Sequence, residues 1–423
     1  MKIKRVHARE IYDSRGWPTV QCEVWLDDGS VFSGYAPAGL SKSSYEAREL
    51  RDGDKRLWGK GVRKAVENIN DVISPVLVGK EPIATDLDYM LITLDGTPDK
   101  SHLGANAMIA TSMALYRAYA HDQGIELYEL IAFLIGAQSV SIPCPMFNII
   151  NGGRHAENTL NVQEFMYAPL SAETLREGID SAIALFHEIK HILRKQGVFF
   201  GIGDEGGITA PFDDPRTALD VMMQALEKVS IGSEAGVGAI ALDVAATQFY
   251  DSNKKRYIVN GNPLTSEELI VFYKELVKTY PIYSIEDGMA EDDWEGWVAM
   301  YEALSDEVQL AADDILATNP ERLVQIAEQN CATAMVIKPN QIGTVTEALE
   351  LVNACKSNNL NTIVSHRSGE TEDSFIADFA VGTSAGQLKA GGVCRSERMA
   401  KYNRLLAIED ILLVTGSSYG GDE

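Results

Sequence analysis

The sequence predicts an α/β protein in which repeated strand–helix units build a parallel sheet or barrel. Four apolar runs of strand length each end in a charged residue, and a helical stretch separates each run from the next. These residues are Asp243, Glu286, Asp313 and Lys338, at spacings of 43, 27 and 25 residues. Because reactive side chains collect at the carboxyl ends of barrel strands, the four are expected to meet at one mouth.

The chain before about residue 137 has a different pattern. Alternating strand-like segments come first, KIKRVHAREIYDS and PTVQCEVWLDDGSVFSGYA, and helical segments follow, GVRKAVENINDVISPVLVG and GANAMIATSMALYRAYAHDQG. Strands followed by helices indicate an α+β domain, which we place at residues 1–136. Prolines and a double glycine in SVSIPCPMFNIINGG mark the change of pattern. The barrel domain is therefore expected over residues 137–423.

Composition restricts the partners and the compartment. The net charge of −24 and the pI near 4.7 argue against a nucleic-acid or anionic-membrane partner. Five scattered cysteines without CxxC spacing favour reduced thiols over a disulfide framework or a zinc site. The N-terminus has no apolar leader segment, and the most apolar stretch is too short to cross a membrane. A cytoplasmic protein is the expectation.

The four strand-end residues point to metal-dependent proton abstraction. Three carboxylates facing one cavity repel each other unless a hard cation lies between them, and Mg²⁺ is the natural choice. A lysine beside that cation, Lys338, is a candidate base, and nearby cations are expected to lower its pKa. The pattern is therefore typical of an enzyme that removes a proton next to a carboxylate.

Further polar residues lie in segments that are otherwise apolar or glycine-rich. Glu205 lies in the turn GIGDEGG, and His155 lies in INGGRHAEN. Gln163 and Glu164 precede the apolar run FMYAPL, and buried polar groups there need partners. Glu205 fits a surface turn as well as a site, and a lone histidine such as His155 is more often structural, whereas burial favours a functional role for Gln163 and Glu164. Their shared neighbourhood favours a role in the site.

Two later strand ends carry groups suited to an anionic substrate. His366, Arg367 and Ser368 close the strand in TIVSHRSGE, and an arginine beside a hydroxyl is a ready phosphate clamp. Lys389 ends the segment AGQLK and can pair with a substrate anion. Each signal is weak alone, but all fall at predicted strand ends.

Taken together, these segments resemble the enolase family over nearly the whole chain. The motifs that carry the resemblance are DSRGWPTV, ELRDGDK, LDGTPDKSHLGANA, INGGRHAEN, QEFM, GDEGG, LDVAA, SIEDGMAEDDW, ADDILATNP, IKPNQIGTVTEA, SHRSGETEDSFIAD and CRSERMAKYN. The resemblance implies an eight-stranded α/β barrel with an N-terminal α+β capping domain, usually in a homodimer. It also implies two Mg²⁺ ions and the reversible dehydration of 2-phosphoglycerate to phosphoenolpyruvate.

The resemblance also assigns roles by motif. The expected metal ligands are Asp243, Glu286 and Asp313, and the base is Lys338. Protonated Glu205 is the expected acid for loss of the 3-hydroxyl group. The other matched positions are Glu164, His155 and Gln163 at the reacting end, Arg367 and Ser368 for the phosphoryl group, His366 and Lys389 beside the substrate, and Ser41 for the second metal.

The chain departs from the family pattern close to these positions. The loop that commonly reads PSGASTG is Pro37–Ser43, with Leu40 and Lys42 in place of small neutral residues, and Arg154 precedes His155. Segments 208–211 and 390–393 read ITAP and AGGV, where FAP and TGAP are common, so the first is one residue longer.

These departures leave three functions open. The first is the glycolytic enolase reaction with a tolerant loop. An alternative is an enolase relative of phosphonate biosynthesis, which dehydrates a phosphonoformyl ester of glycerate to carboxyphosphonoenolpyruvate. Lys42 and Arg154 would suit the additional anionic group of that substrate. A catalytically silent binding protein is the third, and the intact Lys338, Glu205 and metal ligands argue against it.

Overall fold

The structure is a computed structural model that describes residues 1–40, 43–156, 158–230 and 238–415. The first domain opens with a three-stranded antiparallel meander, β1 (Ile3–Tyr12), β2 (Pro18–Leu26) and β3 (Val31–Tyr35). A turn at residues 27–30 joins β2 to β3. Helices then cover the sheet: α1 (Arg63–Glu67), α2 (Ser74–Leu77), α3 (Ala84–Asp95), α4 (Ala105–Gln123) and α5 (Leu127–Ile135).

The second domain alternates strands and helices as the sequence pattern predicts. Its strands are β4 (Cys144–Asn151), β5 (Glu164–Ala168), β6 (Gly201–Ile202), β7 (Ile208–Thr209), β8 (Ala239–Asp243), β9 (Tyr250–Asp251), β10 (Arg256–Val259), β11 (Asn262–Leu264), β12 (Ile282–Glu286), β13 (Gln309–Ala312), β14 (Ala334–Ile337), β15 (Asn361–Ser365) and β16 (Gln387–Lys389). Its helices are α6 (Leu175–Lys195), α7 (Pro215–Ser230), α8 (Ser266–Thr279), α9 (Trp294–Leu304), α10 (Pro320–Gln329), α11 (Pro339–Ile342), α12 (Val345–Ser357), α13 (Phe375–Gly382) and α14 (Ser396–Thr415).

Eight of these strands close into a barrel, in the order β4, β5, β8, β12, β13, β14, β15, β16 and back to β4. The closed α/β barrel confirms the predicted fold class. One expectation was wrong: β5 runs antiparallel to both of its neighbours, so the barrel is not built of parallel strands throughout. A strand's alternation of side chains shows which residues are buried but not which way the strand runs.

The reversed direction of β5 matters for the site. A parallel strand brings its last residue to the mouth, whereas an antiparallel strand brings its first. Glu164, the first residue of β5, therefore pairs with Asp243, the last residue of β8. Asp243 in turn pairs with Glu286, the last residue of β12. Three carboxylates from consecutive barrel strands thus lie at one level.

The first domain contacts the barrel mouth directly. Ala38 forms an antiparallel bridge with Gly369, beside the end of β15. Ser43 Oγ donates to Glu291 Oε2 at 2.6 Å, and Tyr45 packs against the guanidinium of Arg322 at 3.8 Å. These contacts hold both flanks of the loop around residues 41 and 42 against the barrel. Within the described residues, no helix has the length and apolar character needed to cross a membrane.

Candidate active site

Lys389 lies at the centre of the strand-end carboxylates. Its Nζ is 2.7 Å from Glu286 Oε2, 3.1 Å from Asp243 Oδ2 and 3.6 Å from Glu164 Oε2. All four side chains are buried. Burial lowers the pKa of Lys389, but the charges of Asp243, Glu164 and Glu286 raise it well above its ordinary value. Lys389 is therefore a fixed positive charge.

Lys338 follows the last residue of β14 and forms an ion pair with Asp313, which follows β13. Burial lowers the pKa of Lys338, yet the charge of Asp313 raises it overall. The expectation that nearby cations lower the pKa of Lys338 concerns the metal-bound site and stays a prediction. Arg367 and Lys389 do oppose protonation, but Asp313 is closer and dominates.

A second group of side chains lies on the other side of the mouth. Glu205 accepts from Asn148 Nδ2 at 3.1 Å, and its Oε2 lies 2.9 Å from His155 Nδ1. His155 Nδ1 is also 3.9 Å from Glu164 Oε1, and His366 Nε2 is 4.0 Å from Glu205 Oε1. This acid half of the site therefore consists of two carboxyl groups and two imidazoles, all buried.

The two carboxyl groups of the acid half have opposite pKa shifts. Burial, and next the charge of Glu205, raise the pKa of Glu164 well above its ordinary value. Burial also opposes ionisation of Glu205, but His155 lowers its pKa well below the usual range. These shifts favour protonation of Glu164 over Glu205, and the role of Glu205 as the acid stays a prediction.

Arg367 and Ser368 lie beside the mouth and contact the first domain. The Arg367 guanidinium forms a bidentate ion pair with Glu46, with Nη–Oε distances of 3.0 to 3.1 Å. Ser368 Oγ accepts from Arg15 Nη1 at 3.1 Å. Both anion-binding candidates are therefore held by residues of the capping domain.

The remaining predicted residues are placed as follows. Gln163 precedes β5, and its Nε2 donates to Asp243 Oδ2 at 3.3 Å. The cavity is lined by charged and polar residues and by Leu40, whose exposed fraction is 43%. Arg154 is exposed and is not among the lining residues, contrary to the expected extra charge. Ser41 and Lys42 lie outside the described residues.

The carboxylates fit a bound cation. Glu286 Oε1 and Asp313 Oδ1 are buried and have no hydrogen-bond donor among the described residues. A buried anionic oxygen without a donor is costly, and a hard cation with oxygen ligands removes that cost. Asp287 and Asp314 lie next to Asp313, with their ligand atoms within 4.8 Å of one another.

Sequence reasoning assigned no role to three residues that support the site. Asn148 in β4 contacts Glu205, Glu46 pairs with Arg367, and Arg398 in α14 contacts the backbone of both site loops. Glu46 and Arg398 lie near or within quoted motifs, ELRDGDK and CRSERMAKYN. For Arg398 the available signal was a charged side chain in a helical segment, which is normally solvent-exposed.

The fold is an α/β barrel with a capping domain, and its mouth has a lysine on one side and two carboxyl groups on the other. A base facing an acid suits the elimination of water, which is the chemistry of the lyase class. Comparison with known proteins gives the particular family. The model for "Enolase, N-terminal domain" matches residues 3–131, and that for "Enolase, C-terminal TIM barrel domain" matches residues 139–423. Relatives named Enolase from Acidothermus cellulolyticus and Mycobacteroides abscessus are each 47% identical over 413 residues, covering 97% of this chain and 94% of the relative.

The chain belongs to the enolase family. It is accordingly a hydro-lyase of the type that interconverts 2-phosphoglycerate and phosphoenolpyruvate. Enolases require a divalent metal, typically Mg²⁺, and the donor-free carboxylate oxygens described above are suited to one.

Proposed function

We propose that this chain dehydrates 2-phosphoglycerate with Lys338 and the Glu164–Glu205 pair acting from opposite sides of the mouth. The observation that carries the proposal is that the lysine and the two carboxyl groups lie on opposite sides of the barrel mouth. Lys338 is paired with Asp313 on one side, whereas Glu164 and Glu205 lie with His155 on the other. An α-proton and a 3-hydroxyl group can thus leave from opposite faces of a substrate held between them.

We assign Asp243, Glu286 and Asp313 to the first Mg²⁺, and we expect two Mg²⁺ ions per site, with Ser41 contributing to the second. Bound Mg²⁺ would stabilise the negative charge that develops on the substrate carboxylate. Lys389 supplies a permanent positive charge next to the same region, because its pKa is raised well above the ordinary value.

Lys338 serves as the base that takes the α-proton. It must first be neutral, and Asp313 now favours its protonated form. Once Asp313 is engaged by another cation, burial and the charges of Arg367 and Lys389 all favour the neutral amine. The base is therefore active only in a fully assembled site.

The acid half supplies the proton that departs with the hydroxyl group. We assign this proton to the Glu164–Glu205 pair, in which the raised pKa of Glu164 and the lowered pKa of Glu205 make Glu164 the favoured holder. Hydroxide is a poor leaving group, so transfer of this proton to the 3-oxygen lets water leave instead. His155 and Asn148 fix the orientation of Glu205 during the transfer.

Arg367 and Ser368 bind the phosphoryl group, while Gln163, His366 and Lys389 border the substrate. The guanidinium of Arg367 has a fork geometry that suits phosphate, and Glu46 keeps that fork oriented. The pKa of His366 lies well below its usual range, chiefly because of burial, so this imidazole is neutral. It can donate one hydrogen bond without adding charge.

The test is turnover of 2-phosphoglycerate by the purified chain with Mg²⁺, followed by ultraviolet absorbance of the enol product. Rapid turnover that a chelator abolishes is expected. Lys338→Ala should lose at least about 100-fold in kcat, while the exposed Lys278→Ala should behave as wild type. No turnover by folded, Mg²⁺-bound wild-type protein would refute the proposal.

The phosphonoformyl ester of glycerate is the second candidate substrate. It is favoured by one observation, the position of Leu40 among the residues that line the cavity. The absence of Arg154 from that lining weighs against it. Turnover of this ester, with negligible turnover of 2-phosphoglycerate, would select the second candidate.

We further propose that the enzyme is a cytoplasmic homodimer. The five cysteines are free thiols, as suits a reducing compartment. An open cavity of about 620 Å³ lies between the first strands and the barrel, lined in part by Tyr12, Tyr35 and Glu372. Tyr12 has an exposed fraction of 61%, and a second copy packed there would cover it.

A further inference from the structure

Arg398 is a buried charged side chain that the proposed reaction does not use. Its exposed fraction is 0%, and it lies in the first turn of α14. A positive charge in the first turn opposes the helix dipole, and burial of a charge is costly without partners. The position of Arg398 therefore needs strong compensating contacts.

Those contacts come from the two loops that carry the acid half. Arg398 Nη1 donates to the carbonyl oxygen of Arg367 at 2.7 Å and contacts His366 Nδ1 at 2.6 Å. Nη2 donates to the carbonyl oxygens of Asp204 at 2.9 Å and Ser368 at 2.6 Å. The four hydrogens on the terminal nitrogens thus have four acceptors. The guanidinium of Arg398 therefore links the backbone at residue 204 to the backbone at residues 366–368.

The contact with His366 determines its tautomer. A guanidinium can only donate, so Nδ1 of His366 must accept and the ring proton must lie on Nε2. Nε2 is the atom 4.0 Å from Glu205 Oε1. Arg398 thereby directs the Nε2–H group of His366 toward the carboxyl group of Glu205.

The backbone leaves space for this side chain. Gly391 has a φ of +93°, and a Cβ atom there would lie 2.6 Å from Arg398 Cδ. Its carbonyl oxygen is held by Tyr402 Oη at 2.6 Å. By contrast, Lys338 is paired with Asp313 and has no contact with Arg398 among those described.

We propose that Arg398 is a positioning residue for the acid half of the site, which aligns Glu205 and fixes His366 as the Nε2–H tautomer. This inference rests on the proposed function and extends it. The two steps of the reaction then depend on different residues. Removal of the C2 proton depends on Lys338, and loss of the hydroxyl group depends on the positions of Glu205 and His366 that Arg398 maintains.

The experiment compares two rates in the same enzyme at saturating 2-phosphoglycerate, deuterium exchange at C2 and net dehydration, so that any weaker phosphoryl binding by Arg367 and Ser368 does not enter the comparison. In Arg398→Lys, which keeps the charge but cannot reproduce the fork, dehydration should fall about 100-fold. Exchange at C2 should fall less than about tenfold, so that the ratio of exchange to dehydration rises. Arg404→Met is the matched control, because Arg404 lies in the same helix and pairs with Asp378 and Glu126 away from the site.

An equal loss of both rates, or no loss of either, would overturn the proposal. A second measurement does not depend on turnover, and it is made on the wild-type protein. The ¹⁵N shifts of His366 in the wild-type protein, assigned with His366→Asn, should report protonation at Nε2, and protonation at Nδ1 would overturn the proposal. Wild-type protein that neither exchanges nor dehydrates 2-phosphoglycerate would refute the proposed function alone, since the tautomer still decides the role of Arg398.

Discussion

Gly392→Ala would test how the backbone supports Glu205. Gly392 N donates to the carbonyl oxygen of Glu205 at 2.7 Å. A Cβ atom on Gly392 would lie 2.6 Å from the carbonyl oxygen of Gly206 and 2.8 Å from that of Asn148. Both obstacles are backbone atoms next to residues of the acid half, so neither can simply rotate away.

The size of the effect follows from these distances. Carbon–oxygen contacts in proteins lie at about 3.3 Å or more, so one backbone must move by about 0.7 Å. Overpacking of this kind costs about 1–3 kcal/mol of stability. A displacement of about 1 Å in catalytic geometry can cost about 100-fold in rate, and we expect kcat/KM to fall about 30- to 100-fold.

The assay is steady-state turnover of 2-phosphoglycerate together with a thermal melt. Gly386→Ala is the matched control, because Gly386 lies at the other end of β16 and an added Cβ would meet nothing within 4 Å. The control should keep wild-type activity and stability. Activity of Gly392→Ala within about threefold of wild type would show that Glu205 tolerates the shift, and would refute the reasoning.

Two further predictions concern groups that link the domains. In Glu46→Ala the guanidinium of Arg367 loses its bidentate partner. The KM for 2-phosphoglycerate should therefore rise about tenfold, while kcat changes less than about threefold. A fall in kcat at constant KM would contradict this role. Burial raises the pKa of Asp88 to about 7 from an ordinary 3.8, despite hydrogen bonds from Ser112 and Thr346. The folded state therefore binds this proton more tightly than the unfolded state. The resulting stabilisation of the folded state, about 4 kcal/mol at most, is lost as the pH rises through the folded-state pKa of about 7. Asp88→Asn should flatten the fall in thermal midpoint between pH 5 and about pH 8, and an unchanged slope would exclude Asp88 as its source.

The strand-end residues were predictable because their signal is local. Asp243, Glu286 and Lys338 each follow an apolar run, and the barrel rule places such residues at the mouth. The direction of β5 was not predictable in this way, since all five of its residues are buried and such a run has the same pattern in a parallel or an antiparallel strand. Arg398 was missed for a related reason, because its acceptors are carbonyl oxygens brought near by the fold.

The protonation states were equally beyond the sequence. Glu164 and Glu205 are both buried carboxyl groups, and a motif does not show which one holds the proton. The difference arises from which partner is nearest: His155 is 2.9 Å from Glu205 but 3.9 Å from Glu164. This difference in distance from His155 contributes to the opposite pKa shifts of the two carboxyl groups, and only the packed structure contains it.

Two departures from the family pattern meet in space, although about 180 residues separate them in sequence. The lengthened segment 208–211 follows Gly206, and Gly206 lies against Gly392, the glycine in the altered segment 390–393. A Cβ atom on Gly392 could not fit against this turn, so the longer turn and the smaller residue are mutually compatible. Both lie behind Glu205, whereas Lys338 and Asp313 on the opposite side keep the family residues. Any chemical consequence of these departures would therefore affect the loss of the leaving group and not the removal of the C2 proton. The ratio of exchange to dehydration is the quantity in which such a consequence is measurable.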